Sequence, residues 1–494
     1  MQFWDNIINV ATIGTDKKTL GVEELSADLA GAGSIVNGNT AIDKEDKFLQ
    51  LAALAFNYRQ CGIMPFYKEG IELPLAPAEE RNYCSAEANH ILTDTLAEDN
   101  YSLLRLWLQG CIDNQQVLTA DLVPALLAAG LQQKKLQPLI AVVCGRRGEW
   151  LARFNDSWNY SSGQSEEEAW QTGTPELRKI LLQQLRVNNP AKARELLQQS
   201  WAEEDANTKT TFLELLEPNI SEDDIRFLES LAGEKSKKVK DEALRLLKRI
   251  PASSIVEKYQ TILRQAVTLK KEKALLGMVN KTTFQFSLPV IDETIYKSGI
   301  EKLSSKKEIS DEEHILSQLI EGVPPSFWEN HLSDSPEQII NLFQKSPVGK
   351  KMIPALVTAI NRFRDERWAV FFMQHSEVFY IDIIPLLPVK QQEYYSNKFF
   401  DSHPENILNY AFRRQTEWGH ELCLNILKYT AKNAYLYNKS VYGQCIYLIP
   451  DSIIPVLPKC MPQEEHLQSS WSNNSAYIIK LLTLKSQIIK VFNA

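Results

Sequence analysis

The chain has 494 residues, 44% of them apolar and 23% charged, with a formal net charge of −8. This length and composition exclude a disulfide-stapled miniprotein and wholesale disorder, and at roughly 100–200 residues per domain they imply two to four packed units. The negative balance argues against a global electrostatic grip on nucleic acid or an anionic membrane and leaves only a local basic patch for such contacts.

In chain order, Met1-Gln2-Phe3-Trp4-Asp5 shows no basic stretch followed by an apolar one, so no secretory signal is expected. Residues 22–29 have helical period. The glycine-rich 31–38 behind them lacks both the preceding strand and the Lys-Ser/Thr of a phosphate loop, and is expected to be a flexible interhelical loop. Residues 62–80 carry Pro65, Pro74 and Pro77 without helical period and are expected to form an extended surface excursion.

Helical period dominates from there on. Val239, Ala243, Leu246, Leu247 and Ile250 share one face of an amphipathic segment over 235–250, and are expected to be buried together. Similar units occupy 175–186, 190–201, 203–216, 221–232 and 253–269, opened by helix-start residues such as Thr174, Pro190 and Ser221. Helix starts near 176, 206 and 235 recur at about 30 residues per pair, which is the signature of stacked helical hairpins. Residues 282–308 break the pattern, with one short strand expected at Phe284–Pro289 and a solvated linker at 304–308.

Beyond them, Asp382-Ile383-Ile384-Pro385-Leu386-Leu387-Pro388 is echoed by Ser452-Ile453-Ile454-Pro455-Val456-Leu457-Pro458, at the spacing of two hairpins. A weaker pair, Val123-Pro124 and Ile353-Pro354, fits prolines in a first helical turn. The fold expected is all-α, a HEAT-like helical-hairpin solenoid in one or two arrays, divided as 1–280, an irregular connection at 281–310, and 311–494. The longest apolar runs, 139–144 and 368–373, are about six residues where some 18–20 are needed to span a bilayer, so no membrane segment is expected.

Seven widely spaced cysteines fit reduced thiols in a cytoplasmic protein better than a disulfide framework. No CxxC pair, HExxH or GxSxG is present, so no metal, cofactor or catalytic residue is assigned. His420 and Cys423 share a helix face, and a core cysteine beside a surface histidine explains them. Two patches stand out as partner-binding candidates. Lys237, Lys238 and Lys240 lie on a basic ridge over 235–249, which without interleaved aromatics lacks a platform for single-stranded bases. Arg146 and Arg147 present forked donors between Gly145 and Gly148 and beside Trp150; burying both unpaired would be costly, so at least one is expected to face solvent.

The stretch Cys144-Gly145-Arg146-Arg147-Gly148-Glu149-Trp150-Leu151-Ala152, with Asn189-Pro190-Ala191-Lys192-Ala193-Arg194-Glu195, the opening Ala11-Thr12-Ile13-Gly14-Thr15-Asp16, Ala76-Pro77-Ala78-Glu79, and Val323-Pro324-Pro325-Ser326-Phe327-Trp328, resembles a bacterial family of uncharacterised proteins. The matching pieces span 11 to about 340. Genes of that family sit beside those for a MoxR-type AAA+ ATPase, a von Willebrand factor A-domain protein and a SWIM zinc-finger protein, and the resemblance implies these as candidate partners. It supplies no catalytic residue. The expected function is a non-enzymatic scaffold or adaptor for protein partners; the alternatives are an enzyme whose site is assembled from distant helices, and a nucleic-acid-binding solenoid.

Overall fold

The structure is a computed structural model that describes residues 2–61, 75–161, 165–274, 279–376 and 378–493. Twenty-five α-helices and ten 3₁₀ segments account for most of them, with only two two-stranded sheets. The fold is all-α and solenoid-like, helix pairs following one another along the chain. Two compact units are present, Met1–Leu75 and Ala76–Ala494.

In the first unit the helices Gln2–Ile13, Ala30–Gly38 and Lys44–Cys61 enclose Ile7, Val10, Leu20, Leu51 and Ala55. The expected loop at 31–38 is thus a helix, and 22–29 is two 3₁₀ turns. The reason is packing: Gly33 is buried, and a Cβ on it would lie 2.8 Å from Leu25 Cδ1. This glycine lets helix and neighbour approach closely instead of loosening the chain. Of the expected excursion at 62–80, residues 62–74 lie outside the described residues, and 75–79 have no regular structure.

The second unit holds two hydrophobic cores. One gathers side chains from Trp170 to Tyr395, and the other joins Cys84–Cys144 to Phe400–Ile488. The 29-residue helix Glu465–Asn493 makes this second closure, packing against Ala86–Ala97 and Tyr101–Asp113. Residues 281–310 enter the first core through Phe284, Ile295 and Ile300. Phe379, Ile381 and Phe399 pack against both cores and mark their junction.

Local chemistry explains the helices. Lys237–Leu247 buries Val239, Ala243, Leu246 and Leu247, with Ile250 just beyond, as the periodicity requires. Thr174, Asn189 and Asp205 accept backbone N–H bonds as N-caps of Pro175–Asn188, Pro190–Ser200 and Ala206–Glu214. Arg186, fully buried, donates to Asp224 and to the Leu216, Pro218 and Asn219 carbonyls, stitching one hairpin to the next. Ser326–Leu332 follows Pro324-Pro325 and buries Phe327 and Trp328.

The strand is larger than expected. The helix over 253–269 ends at Ala266, and Val267–Ala274 pairs antiparallel with Val279–Phe286, Val267 opposite Phe286. Buried, β-branched Val267 opens this hairpin, where helical periodicity gives way to alternation. The echoed segments adopt one conformation, 3₁₀ turns at Ile381–Leu386 and Asp451–Cys460, with four α-helices between. Pro124 opens its helix as expected, whereas Pro354 lies inside Pro347–Arg362, whose opening proline is Pro347. Among the described residues no helix is long and apolar enough to cross a membrane.

Candidate functional site

The Arg146–Arg147 turn is built on Gly145, which breaks the helix Gln137–Ala152 with φ 55° and ψ −155°. A Cβ at Gly145 would lie 2.7 Å from a Glu79 carboxylate oxygen. That carboxylate accepts the Arg147 backbone N–H at 2.9 Å, so Glu79 caps the helix that restarts after the break. Arg146 Nη2 donates to Glu80 Oε1 at 2.5 Å and its Nη1 to the Ala78 carbonyl at 3.4 Å, while Arg81 reaches the Val142 carbonyl. Residues 78–81 are therefore strapped onto 142–147. Arg146 is exposed as well as paired. Arg147 is half-buried, and its Nε has no hydrogen bond among the described residues. Gly148 makes no turn and is buried in the helix; half-buried Trp150 packs edge-on against Phe154 at 4.9 Å.

Lys237, Lys238 and Lys240 are exposed, at the N-terminal end of their helix. The C-terminal half of the ridge is different: Arg245 bonds Glu242 and Glu217, and Arg249 pairs with Glu217. The ridge belongs to the first core and the Arg146 turn to the second, and among the described residues no hydrogen bond or ion pair joins them.

Of the seven cysteines, all free, only Cys61 is exposed. Cys84 and Cys111 approach to 3.3 Å between sulfurs, and that contact together with burial pushes the Cys111 thiol far up. Burial also raises Cys144 and Cys423, so these thiols stay protonated and unreactive. Cys423 is a core residue and His420 an exposed one, as the sequence suggested. Among the described residues no cluster of three or more His, Cys, Asp or Glu is placed to hold a metal ion.

A groove at the junction of the two cores is the feature the sequence did not announce. The groove, of about 830 Å³, is lined by Arg364, Asp382, Tyr410, Arg413, Arg414 and Gln415. A second cavity, of about 720 Å³, belongs to the second core and is lined by Asp99, Arg105, Gln109, Gln415, Gln444 and Tyr477. Gln415 lines both cavities. The wall of the second cavity is fixed by Asn100 Nδ2 donating to the Gly443 carbonyl at 2.9 Å and Ser102 Oγ to that of Gln444 at 3.0 Å.

The arginines of the two cavities are held differently. Arg414 is buried, donating to Glu393, to Thr416 Oγ1 at 3.1 Å and to the Glu417 carbonyl at 3.2 Å, with Nε left unbonded. Arg105, Arg364 and Arg413 are exposed and make no side-chain hydrogen bond or ion pair among the described residues. Tyr410 donates to Gln392 Oε1 at 2.6 Å, and burial pushes its hydroxyl up to about 12.

Arg364 has an unusual backbone. Its amide donates to the Asn361 carbonyl at 3.2 Å and the next amide, of Asp365, to the Ile360 carbonyl at 3.0 Å, the two bonds of a Schellman turn closing Pro347–Arg362. Arg364 occupies the left-handed position of that turn, φ 52°, where glycine is the residue of least strain. Behind it burial pulls the Arg249 and Arg362 guanidinium groups down, with Arg364 a further positive neighbour of Arg249. A signal that could have pointed to it, arginine in the cap position where glycine is common, shows only once the helix end at Arg362 is known.

A family profile described as "Family of unknown function (DUF5691)" matches residues 6–492. No curated protein and no solved structure matches the chain.

Proposed function

We propose that this chain, which belongs to the DUF5691 family of unknown function along nearly its whole length, works as a HEAT-like helical-repeat scaffold that binds protein partners in the cytoplasm. The observation that carries this reading is the junction groove, which combines exposed arginines, unpaired among the described residues, with carboxamides on a frame of packed helices. Arginine is the side chain most suited to anchoring a partner, since it offers five donors in a fixed fork and stacks on flat groups. Serial helix pairs supply the rigid frame such anchors need. An AAA+ ATPase or a von Willebrand A-domain protein are the partner candidates, with Arg146, Arg147, Lys237, Lys238 and Lys240 as secondary contacts for an acidic surface.

The test is affinity purification from the native host with cross-linking mass spectrometry, comparing the wild-type chain with Arg413→Ala. A partner cross-linked to residues around the groove, and lost in the variant, supports the scaffold. A small-molecule cofactor or substrate co-purifying in its place, seen by native mass spectrometry, would overturn it.

A further inference from the structure

The geometry points to the junction groove as a binding site for an extended acidic peptide segment, with Arg364 and Arg413 pairing its carboxylates and the lining carboxamides holding its backbone. This rests on the scaffold reading and names the chemistry of its partner.

Three observations carry it. First, charge: the groove is lined by Arg364, Arg413 and Arg414 against Asp382, and among the described residues neither of the exposed arginines, Arg364 and Arg413, pairs with an internal carboxylate. An exposed arginine without a partner is free to form a bidentate, charge-assisted pair with an incoming carboxylate. Second, the amides: Asn361, Asn406, Asn409 and Gln415 line the same groove. A carboxamide carries a donor and an acceptor side by side, which matches the N–H and C=O of an extended peptide, while alternate side chains of that peptide point to the same wall. Third, Arg364 holds a left-handed backbone in a turn that glycine would close with less strain. Strain of this kind is imposed by the surrounding structure and clusters at binding sites.

Net charge disfavours nucleic acid: the chain as a whole carries −8, which opposes a long polyanion more than a short acidic segment.

The experiment is fluorescence anisotropy on the full chain at low salt. The probe is a labelled peptide of about twelve residues, glutamate alternating with glycine, roughly 40 Å when extended. Its lysine counterpart and a thymidine oligonucleotide of equal length serve as controls. The glutamate peptide should bind and the lysine peptide should not; Arg364→Gly and Arg413→Ala should each weaken binding about tenfold, and added salt should weaken it further. Arg364→Gly should leave the melting temperature unchanged or raised, so its loss of binding is not a loss of fold. No binding of the glutamate peptide, binding indifferent to both variants, or tighter binding of the oligonucleotide would overturn the inference. The two readings fail separately: a partner still cross-linked around the groove when the glutamate peptide does not bind overturns the acidic ligand alone, and no partner held at all overturns the scaffold as well.

Discussion

Glu79 and Arg147 are 68 positions apart, yet the carboxylate of one accepts the backbone N–H of the other at 2.9 Å. That single bond restarts a helix behind a broken turn, and Gly145 is what leaves room for it. Glu79→Ala should lower stability by about 1 kcal/mol, the usual cost of losing an N-cap. Gly145→Ala should cost about 1–3 kcal/mol, because its φ of 55° is strained for alanine and the new methyl meets the Glu79 carboxylate. Urea midpoints of the two single variants and the double variant measure this. Strict additivity in the double variant would show that the pair does not act as one unit.

Asp224 is the counter-ion of fully buried Arg186 and also binds Arg194 at 2.7 Å. Asp224→Ala should destabilise the chain by about 3–5 kcal/mol, since it leaves Arg186 buried without its charge partner. Leu246→Ala, in the same core, should cost about 2–5 kcal/mol through lost transfer energy and a residual cavity. Thermal melts of the two single variants measure both losses, and neither should depend on salt, because the ion pair is fully buried. A change below about 0.5 kcal/mol in either variant would mean that the side chain is not packed as described.

Glu234 accepts from Lys209 at 3.0 Å and from the Trp201 indole at 2.7 Å, and these bonds, Lys209 first, hold its carboxyl below the ordinary 4.5. A depressed acid contributes stability that is fully present above its unfolded value and is lost as pH falls through the folded one. Glu234→Gln should therefore melt lower than wild type at neutral pH, and the gap should close as pH drops below 4.5. Melting curves over that range check it; a gap that widens on acidification has the wrong sign.

Helical periodicity made the hairpins from 175 to 266 readable, because each buries one stripe at i, i+3 and i+4 and the caps Thr174 and Asn189 act locally. The echo around Pro385 and Pro455 was readable as a repeated sequence at the spacing of two hairpins, while its 3₁₀ conformation was not. Periodicity says that a face is buried and not what covers it, so the closure of Trp107 and Cys111 against a helix near 490 was invisible. At Gly33 composition misled, since close packing against Leu25 and chain flexibility use the same residue. The Arg146 turn could be read in outline, because Gly145, the residue that breaks it, sits beside the arginines. The groove could not: Arg364 and Arg413 are brought together only by the junction of two cores.

The most direct measurement is made on one sample of Arg364→Gly, melted and titrated with the glutamate peptide. If the arginine is present for a ligand and not for the fold, replacing it relieves a left-handed residue, raising stability by about 1 kcal/mol, while affinity falls about tenfold. A lower melting temperature with affinity unchanged would contradict this, and would make Arg364 a structural residue of its helix end.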